Sequence, residues 1–138
     1  MKTINEIQQE IIKTFKTLEN DRIATIEYII DVGNELIPLE EKYKTEKNLI
    51  EGCISKVWVI HQIVNGRLEF KADSNTSTVK GILSLLIKIF NNQTPKDIAT
   101  TELFFIKQTN LQNIISSQRF IGIDAIIRYI KSISRQYL

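Results

Sequence analysis

The stretch SKVWVIHQIVNGRLEFKAD, residues 55–73, limits the fold more than any other part of the chain. Apolar residues on either side of it recur every three or four positions. Within it they cluster and then alternate. Residues 55–63 are rich in β-branched and aromatic side chains, which suit a strand. Asn65-Gly66 follows, the strongest short signal for a hairpin, because both central turn residues must adopt positive φ. In residues 67–73, Leu68, Phe70 and Ala72 share one face, and Arg67, Glu69, Lys71 and Asp73 share the other. The first strand is apolar on both faces, with Val57 and Val59 on one and Trp58 and Ile60 on the other. It is therefore expected to be the more buried of the pair. A lone hairpin is marginal in water, so helices must cover it. One more short strand near the hairpin is expected, without an assigned position.

Those helices are readable from their periods and caps. Residues 3–18 form an amphipathic helix, with Thr3 and Glu6 at capping-box spacing and Ile4, Ile7, Ile11, Phe15 and Leu18 as its stripe. Asp21 caps a second helix, expected to turn Ile23, Ile26 and Ile30 inward before Gly33-Asn34 and Pro38 end it. The charged run PLEEKYKTEKN reads as a solvated connection. Helical period returns over residues 77–90, with Val79, Ile82, Leu83, Leu86 and Phe90 inward and Asp73 or Ser74 as its cap. In TPKDI, Thr94 is the cap and Pro95 the first helical residue. Residues 102–115 suggest short helical pieces. The last helix covers residues 117–134, with Ile123, Ile126, Ile127 and Ile130 inward. The expectation is one α+β domain over residues 1–138, a small antiparallel sheet covered by about five helices.

Composition excludes several classes of function. Lys and Arg total 18 against 16 Asp and Glu, well mixed, which gives no pull towards nucleic acid. One Cys and one His cannot form an internal disulfide or a closed zinc site. The leading residues are polar between isoleucines, unlike a secretory signal, and no run approaches the ~20 apolar residues of a membrane span. A cytoplasmic protein is expected, with an organellar matrix left open.

Cys53 is the remaining question. A lone cysteine beside apolar residues is ordinarily an inert small hydrophobe. Two features favour chemistry: Cys53 stands where a polar loop meets a strand, and Gly52 before it permits a hinge with positive φ. Hydrolysis would need His61 as a base. A straight strand rising ~3.3 Å per residue would put it roughly 25 Å away. Dithiol exchange would need a second cysteine. One-thiol chemistry remains, in which a thiolate attacks a sulfur atom on another molecule. Lys56 lies close enough in sequence to favour that thiolate.

Four segments carry a resemblance. GCISKVW, through Gly52, Cys53, Ser55, Val57 and Trp58, resembles the G-C-x-S-x-V-W signature of the SufE family. DSNTSTVKGIL resembles that family's D-S…V-x-G-L segment, through Asp73, Ser74, Val79, Lys80 and Gly81. QTPKDI resembles its T-P-x-D-I/L helix start, and SQRFIGIDAIIRYI its C-terminal helix, through Arg119, Gly122 and Ala125. Two departures are Asn75, where the family often has an acid, and the large Gln118 and Phe120 beside Arg119.

The resemblance implies a sulfur acceptor of iron–sulfur cluster assembly. Cys53 would take the outer sulfur of a persulfide on a cysteine desulfurase, stimulate that enzyme, and pass the sulfur to a cluster scaffold. The protein would hold no cofactor or metal, the pyridoxal phosphate belonging to the desulfurase. It would be a carrier and activator rather than an independent enzyme, with no nucleic acid or membrane partner. Gly52, Ser55 and Asp73 would serve the loop and its docking surface, with helix capping as the alternative for Asp73. Arg119 falls in the first turn of the last helix, where a cation opposes the helix dipole at a cost of ~0.3–1 kcal/mol. That placement suits a side chain facing a thiolate, a persulfide or a partner carboxylate, against the alternative of a solvated arginine. The competing functional reading is an interaction or regulatory module whose cysteine is inert.

Overall fold

A computed structural model describes residues 1–138. Helix α1 covers Ile4–Leu18 and α2 Arg22–Asn34; strands β1, Val57–Val64, and β2, Arg67–Ser74, follow; then come α3, Ser77–Phe90, α4, Pro95–Thr100, α5, Leu111–Ile114, and α6, Ser117–Arg135. Two single-turn 3-10 helices, Glu41–Tyr43 and Glu46–Asn48, occupy the charged connection. The result is an α+β domain with a two-stranded antiparallel sheet.

The hairpin pairs Val57 with Ser74 at one end and Val64 with Arg67 at the other. Asn65 (φ 52°) and Gly66 (φ 77°) close it, both in the left-handed region that a type I′ turn needs. The expected third strand is reduced to single bridges. Leu49 pairs with Trp58 on the outer side of β1, and Leu68 pairs with Gln93 beyond β2.

The relative burial of the strands is the reverse of the expectation. On β2, Leu68, Phe70, Ala72, Asp73 and Ser74 are all buried, whereas β1 is exposed from His61 to Val64. The cause is tertiary. Helix α3 packs on β2, and no helix packs comparably on β1.

Helix α3 is the centre of the core. Val79, Ile82, Leu83, Leu86 and Phe90 are buried as expected, and so are Leu85, Ile87 and Ile89. Its cap is Thr76, not Asp73 or Ser74. Helix α2 lies against α3 so closely that a Cβ on Gly81 would stand 2.2 Å from the Ile29 carbonyl oxygen. That contact sets the orientation of α2. Thr25, Ile29 and Val32 face inward, while Ile23 is 71% exposed and Ile26 and Ile30 are half-buried. The expected stripe is not the one observed, because α2 is apolar on several sides and the close approach to α3 selects among them.

Capping follows the sequence elsewhere. Thr3 and Glu6 form a reciprocal capping box on α1, Asp21 accepts from the Ala24 N–H, and Thr94 accepts from the Asp97 N–H. Segment 102–110 is a turn-rich loop. It is tied to α1 by the fully buried Gln8, whose Oε1 accepts from the Phe104 and Phe105 N–H groups at 2.7 and 3.2 Å. On α6, Ile123, Ile126, Ile130 and Ile133 are buried and Ile127 is half-buried.

Candidate functional site

The polypeptide turns back on itself before β1. The Ile50 N–H donates to the Val57 carbonyl at 2.9 Å, and Leu49 bridges Trp58. These contacts close the base of a loop, residues 51–56, with Cys53 at its tip. Gly52 has φ 92°, the left-handed region in which a side chain is strained. A Cβ there would also stand 3.3 Å from Ala125 Cβ on α6.

The leg of the loop that enters β1 is tied to the start of α3. Asn75 accepts from the Lys56 N–H through its side chain at 3.0 Å, and its own N–H donates to the Lys56 carbonyl at 3.2 Å. The Thr76 hydroxyl donates to Ser55 Oγ at 2.8 Å. Ser55 thus holds the loop to the N-cap of α3. Asn75, the departure from the family pattern, is a working tie. The Lys56 side chain is exposed and does not line the thiol's pocket.

Cys53 points inward and is half-buried. Its thiol donates to the Gly122 carbonyl at 3.2 Å. The surrounding pocket is lined by Ile54, Ser55, Val79, Arg119, Gly122 and Ile123, with a free volume of about 10 Å³. That is close to the least space that admits one water molecule. Burial disfavours the thiolate and pushes the Cys53 pKa above the ordinary thiol value. In this position the group is therefore a protonated thiol. In the pocket wall Ile54 is 71% exposed, and Ile121 on α6, which lines a neighbouring hollow with Gly52 and Ala125, is 61% exposed. Both are apolar side chains left open to solvent on the surface around the cysteine loop.

Arg119 does reach this site. It stands in the first turn of α6, lines the Cys53 pocket, and donates through Nη1 to the Thr78 hydroxyl in the first turn of α3. Its guanidinium is exposed and has no carboxylate partner.

Asp73 does not cap α3, whose N-cap is Thr76. It is buried, 3% exposed, on the face of β2 that the alternating pattern assigned to solvent. Its carboxylate accepts from the Leu39 N–H at 3.1 Å and the Ser74 N–H at 2.8 Å. It also pairs with Lys44 at 3.4 Å and Lys80 at 3.5 Å. Burial opposes its charge, but the two N–H groups and the two ammonium groups outweigh burial and hold its pKa below the usual carboxylate value. Lys44 also lies over the half-buried Trp58 ring, 5.5 Å from its centroid. Asp73 thus fastens connection 39–44 to the sheet beneath the cysteine loop. It acts on that loop's foundation rather than on the thiol.

His61 is not part of this site. Its Nε2 lies 3.0 Å from the Tyr137 hydroxyl on the exposed part of β1. It lines a hollow of about 630 Å³ with Leu36, Tyr43, Ile60 and Phe70, and Cys53 is not in its walls. The hydrolase reading has no support in this arrangement. No group of three or more His, Cys, Asp or Glu side chains is placed to hold a metal. No helix is long and apolar enough to cross a membrane.

Together the fold and the site define a class: a helix-covered hairpin that presents one half-buried thiol on a loop bent at a positive-φ glycine. The chain belongs to the SufE family, described as an Fe-S metabolism associated domain, which matches residues 9–134. Its fold is similar to the solution structure of a hypothetical protein from Thermus thermophilus, with a TM-score of 0.78 at 15% identity over 95% of each chain. Membership associates the chain with iron–sulfur metabolism.

Proposed function

We propose that this protein is a sulfur acceptor, loaded at Cys53 by a cysteine desulfurase and unloaded to an iron–sulfur cluster scaffold. The observation that carries the reading is the sheltered Cys53 thiol on its hinged loop, in a chain of a family associated with iron–sulfur metabolism.

The chemistry balances without an oxidant. On leaving the pocket, Cys53 loses its proton to water. Its thiolate attacks the outer sulfur of the donor's cysteine persulfide. A new S–S bond forms on Cys53, the donor's S–S bond breaks, and the electron pair stays on the donor cysteine as a thiolate. Arg119 beside the pocket can face the anionic sulfur or a donor carboxylate. The exposed Ile54 and Ile121 offer the donor an apolar contact. On this reading pyridoxal phosphate is held by the desulfurase and none by this chain. The exchange runs in a reducing compartment, the cytoplasm.

Incubation with an active cysteine desulfurase, free cysteine and pyridoxal phosphate is expected to add ~32 Da to the intact mass, as transfer of one sulfur requires. The adduct is expected to vanish on reduction and to be absent from Cys53→Ser. A Cys53→Ser chain that stimulates the desulfurase as well as the natural one would reject the carrier role. It would favour the second reading, a docking module with an inert thiol, which the raised thiol pKa also fits.

A further inference from the structure

We infer that Gly122 is a positioning residue that reserves, beside Cys53, the space for one added sulfur atom, so that the pocket can take back a persulfide but no larger adduct. This rests on the proposed function for its purpose, though not for its test. Gly122 is buried in the interior of α6, where glycine costs ~1 kcal/mol relative to alanine. The helix runs unbroken past it, so no turn explains the residue. What lies opposite does. A Cβ on Gly122 would stand 3.3 Å from Cys53 Sγ, 3.4 Å from its Cα and 3.5 Å from its Cβ. The missing methyl is therefore aimed at the sulfur itself. The Gly122 carbonyl accepts from the same thiol at 3.2 Å, which orients the sulfur along the helix surface.

The remaining space is as telling. About 10 Å³ is free in a pocket walled by Ile54, Val79 and Ile123 as well as Gly122. That suits one small atom with slight give in the walls. It does not suit a cysteinyl or glutathionyl group, which would hold the loop outside. The pocket would sort adducts by size. A methyl on residue 122 would take the reserved space and leave the outer sulfur exposed to external nucleophiles.

The test uses inorganic polysulfide to load the full chain without any desulfurase. The Cys53 thiolate attacks a polysulfide sulfur, one S–S bond forms as another breaks, and the electron pair departs on the shortened polysulfide. After excess reagent is removed, cyanide is added and the loss of ~32 Da is followed by mass. In Gly122→Ala the sulfur is expected to be lost roughly tenfold faster, the scale of a crowded site. Alkylation of the unloaded thiol by iodoacetamide should rise less, by no more than about threefold, because the thiol needs to shift only slightly. Val79→Ala trims a wall without crowding the sulfur, and should hold the persulfide as long as the natural chain or longer. A merely structural role would speed loss in both variants and raise persulfide loss and alkylation in equal proportion. Either result, an unchanged lifetime in Gly122→Ala, or failure of polysulfide to load the natural chain would overturn the inference. A chain that shelters polysulfide sulfur but takes none from a desulfurase would keep this pocket and lose the proposed function.

Discussion

Strand β1 is entered and left through a glycine of positive φ, yet the two connections share little else. Gly66 closes the hairpin turn in the open, with nothing within 4 Å of where a Cβ would stand. Gly52 bends the chain under α6, against Ala125, and the next residue lies against Gly122. Both glycines solve the same backbone problem. One only reverses the chain. The other sets a sulfur atom between α3 and α6. The difference lies in the cover, supplied by helices distant in sequence, and not in the bend.

Anchoring differs in the same way, and the largest effect is expected there. At the covered end of the hairpin, Asp73 stands opposite Trp58 and ties two backbone N–H groups and two lysines together. Towards the open end the comparable polar contact is Gln62 to Glu69, at 3.0 Å on the surface. Asp73→Ala is expected to cost about 2–3 kcal/mol in urea unfolding at neutral pH, less than for a fully enclosed pair because both lysines are partly exposed. Glu69→Ala should stay within about 0.5 kcal/mol. The sign of the pH effect follows from the lowered Asp73 pKa. Its contribution is present above the ordinary Asp value, about 3.9, and is lost as pH falls through the lower folded-state value. Asp73→Ala should lose that part of the acid limb. Equal costs at the two positions, or an unchanged acid limb, would remove the distinction between the ends.

How far the sequence discloses each end follows from the range of the interactions. The open end is local: Asn65-Gly66 and the alternation of Leu68, Phe70 and Ala72 specify turn and register within a few residues. The helices with strong caps, α1 and α4, are equally legible. The thiol loop is legible as a motif, and Gly52 is legible as a position of positive φ. Its cover is not. Nothing near Cys53 tells that Gly122 will face it, or that Asn75 and Thr76 will hold Lys56 and Ser55. Alternation assigns Asp73 to solvent, and the distant Leu39 and Lys44 join Ser74 and Lys80 in making its burial tolerable. The inward face of α2 is hidden for the same reason, since contact with α3 chooses it.

A matched pair of substitutions tests the comparison at the glycines themselves. Gly52→Ala and Gly66→Ala each force a side chain into positive φ, at about 1–2 kcal/mol. If the helical cover governs the thiol loop, their chemical consequences diverge. Gly66→Ala should lower stability and leave the alkylation rate of Cys53 unchanged. Gly52→Ala should raise that rate several-fold at the same loss of stability, since the methyl also meets Ala125. Equal alkylation in the two variants would mean that the loop does not open at Gly52.

The mildest substitution, at Asn75, separates loop opening from unfolding. Asn75→Ala removes the side-chain acceptor of the Lys56 N–H and leaves the backbone bond between the same residues in place. One partly exposed hydrogen bond contributes about 0.5–1.5 kcal/mol. Global stability should fall by no more than that. The loop tip has few other ties, so most of the loss should appear as opening, raising Cys53 alkylation by up to about fivefold. The rate should also climb with pH to a midpoint above the ordinary thiol value, since burial raises the thiol pKa and deprotonation favours the outward state. Asn75→Asp keeps an acceptor at that position and should restore slow alkylation. A fall in stability with no change in alkylation would show that Cys53 leaves its pocket without releasing Lys56, which would place the moving segment entirely between Gly52 and Ser55.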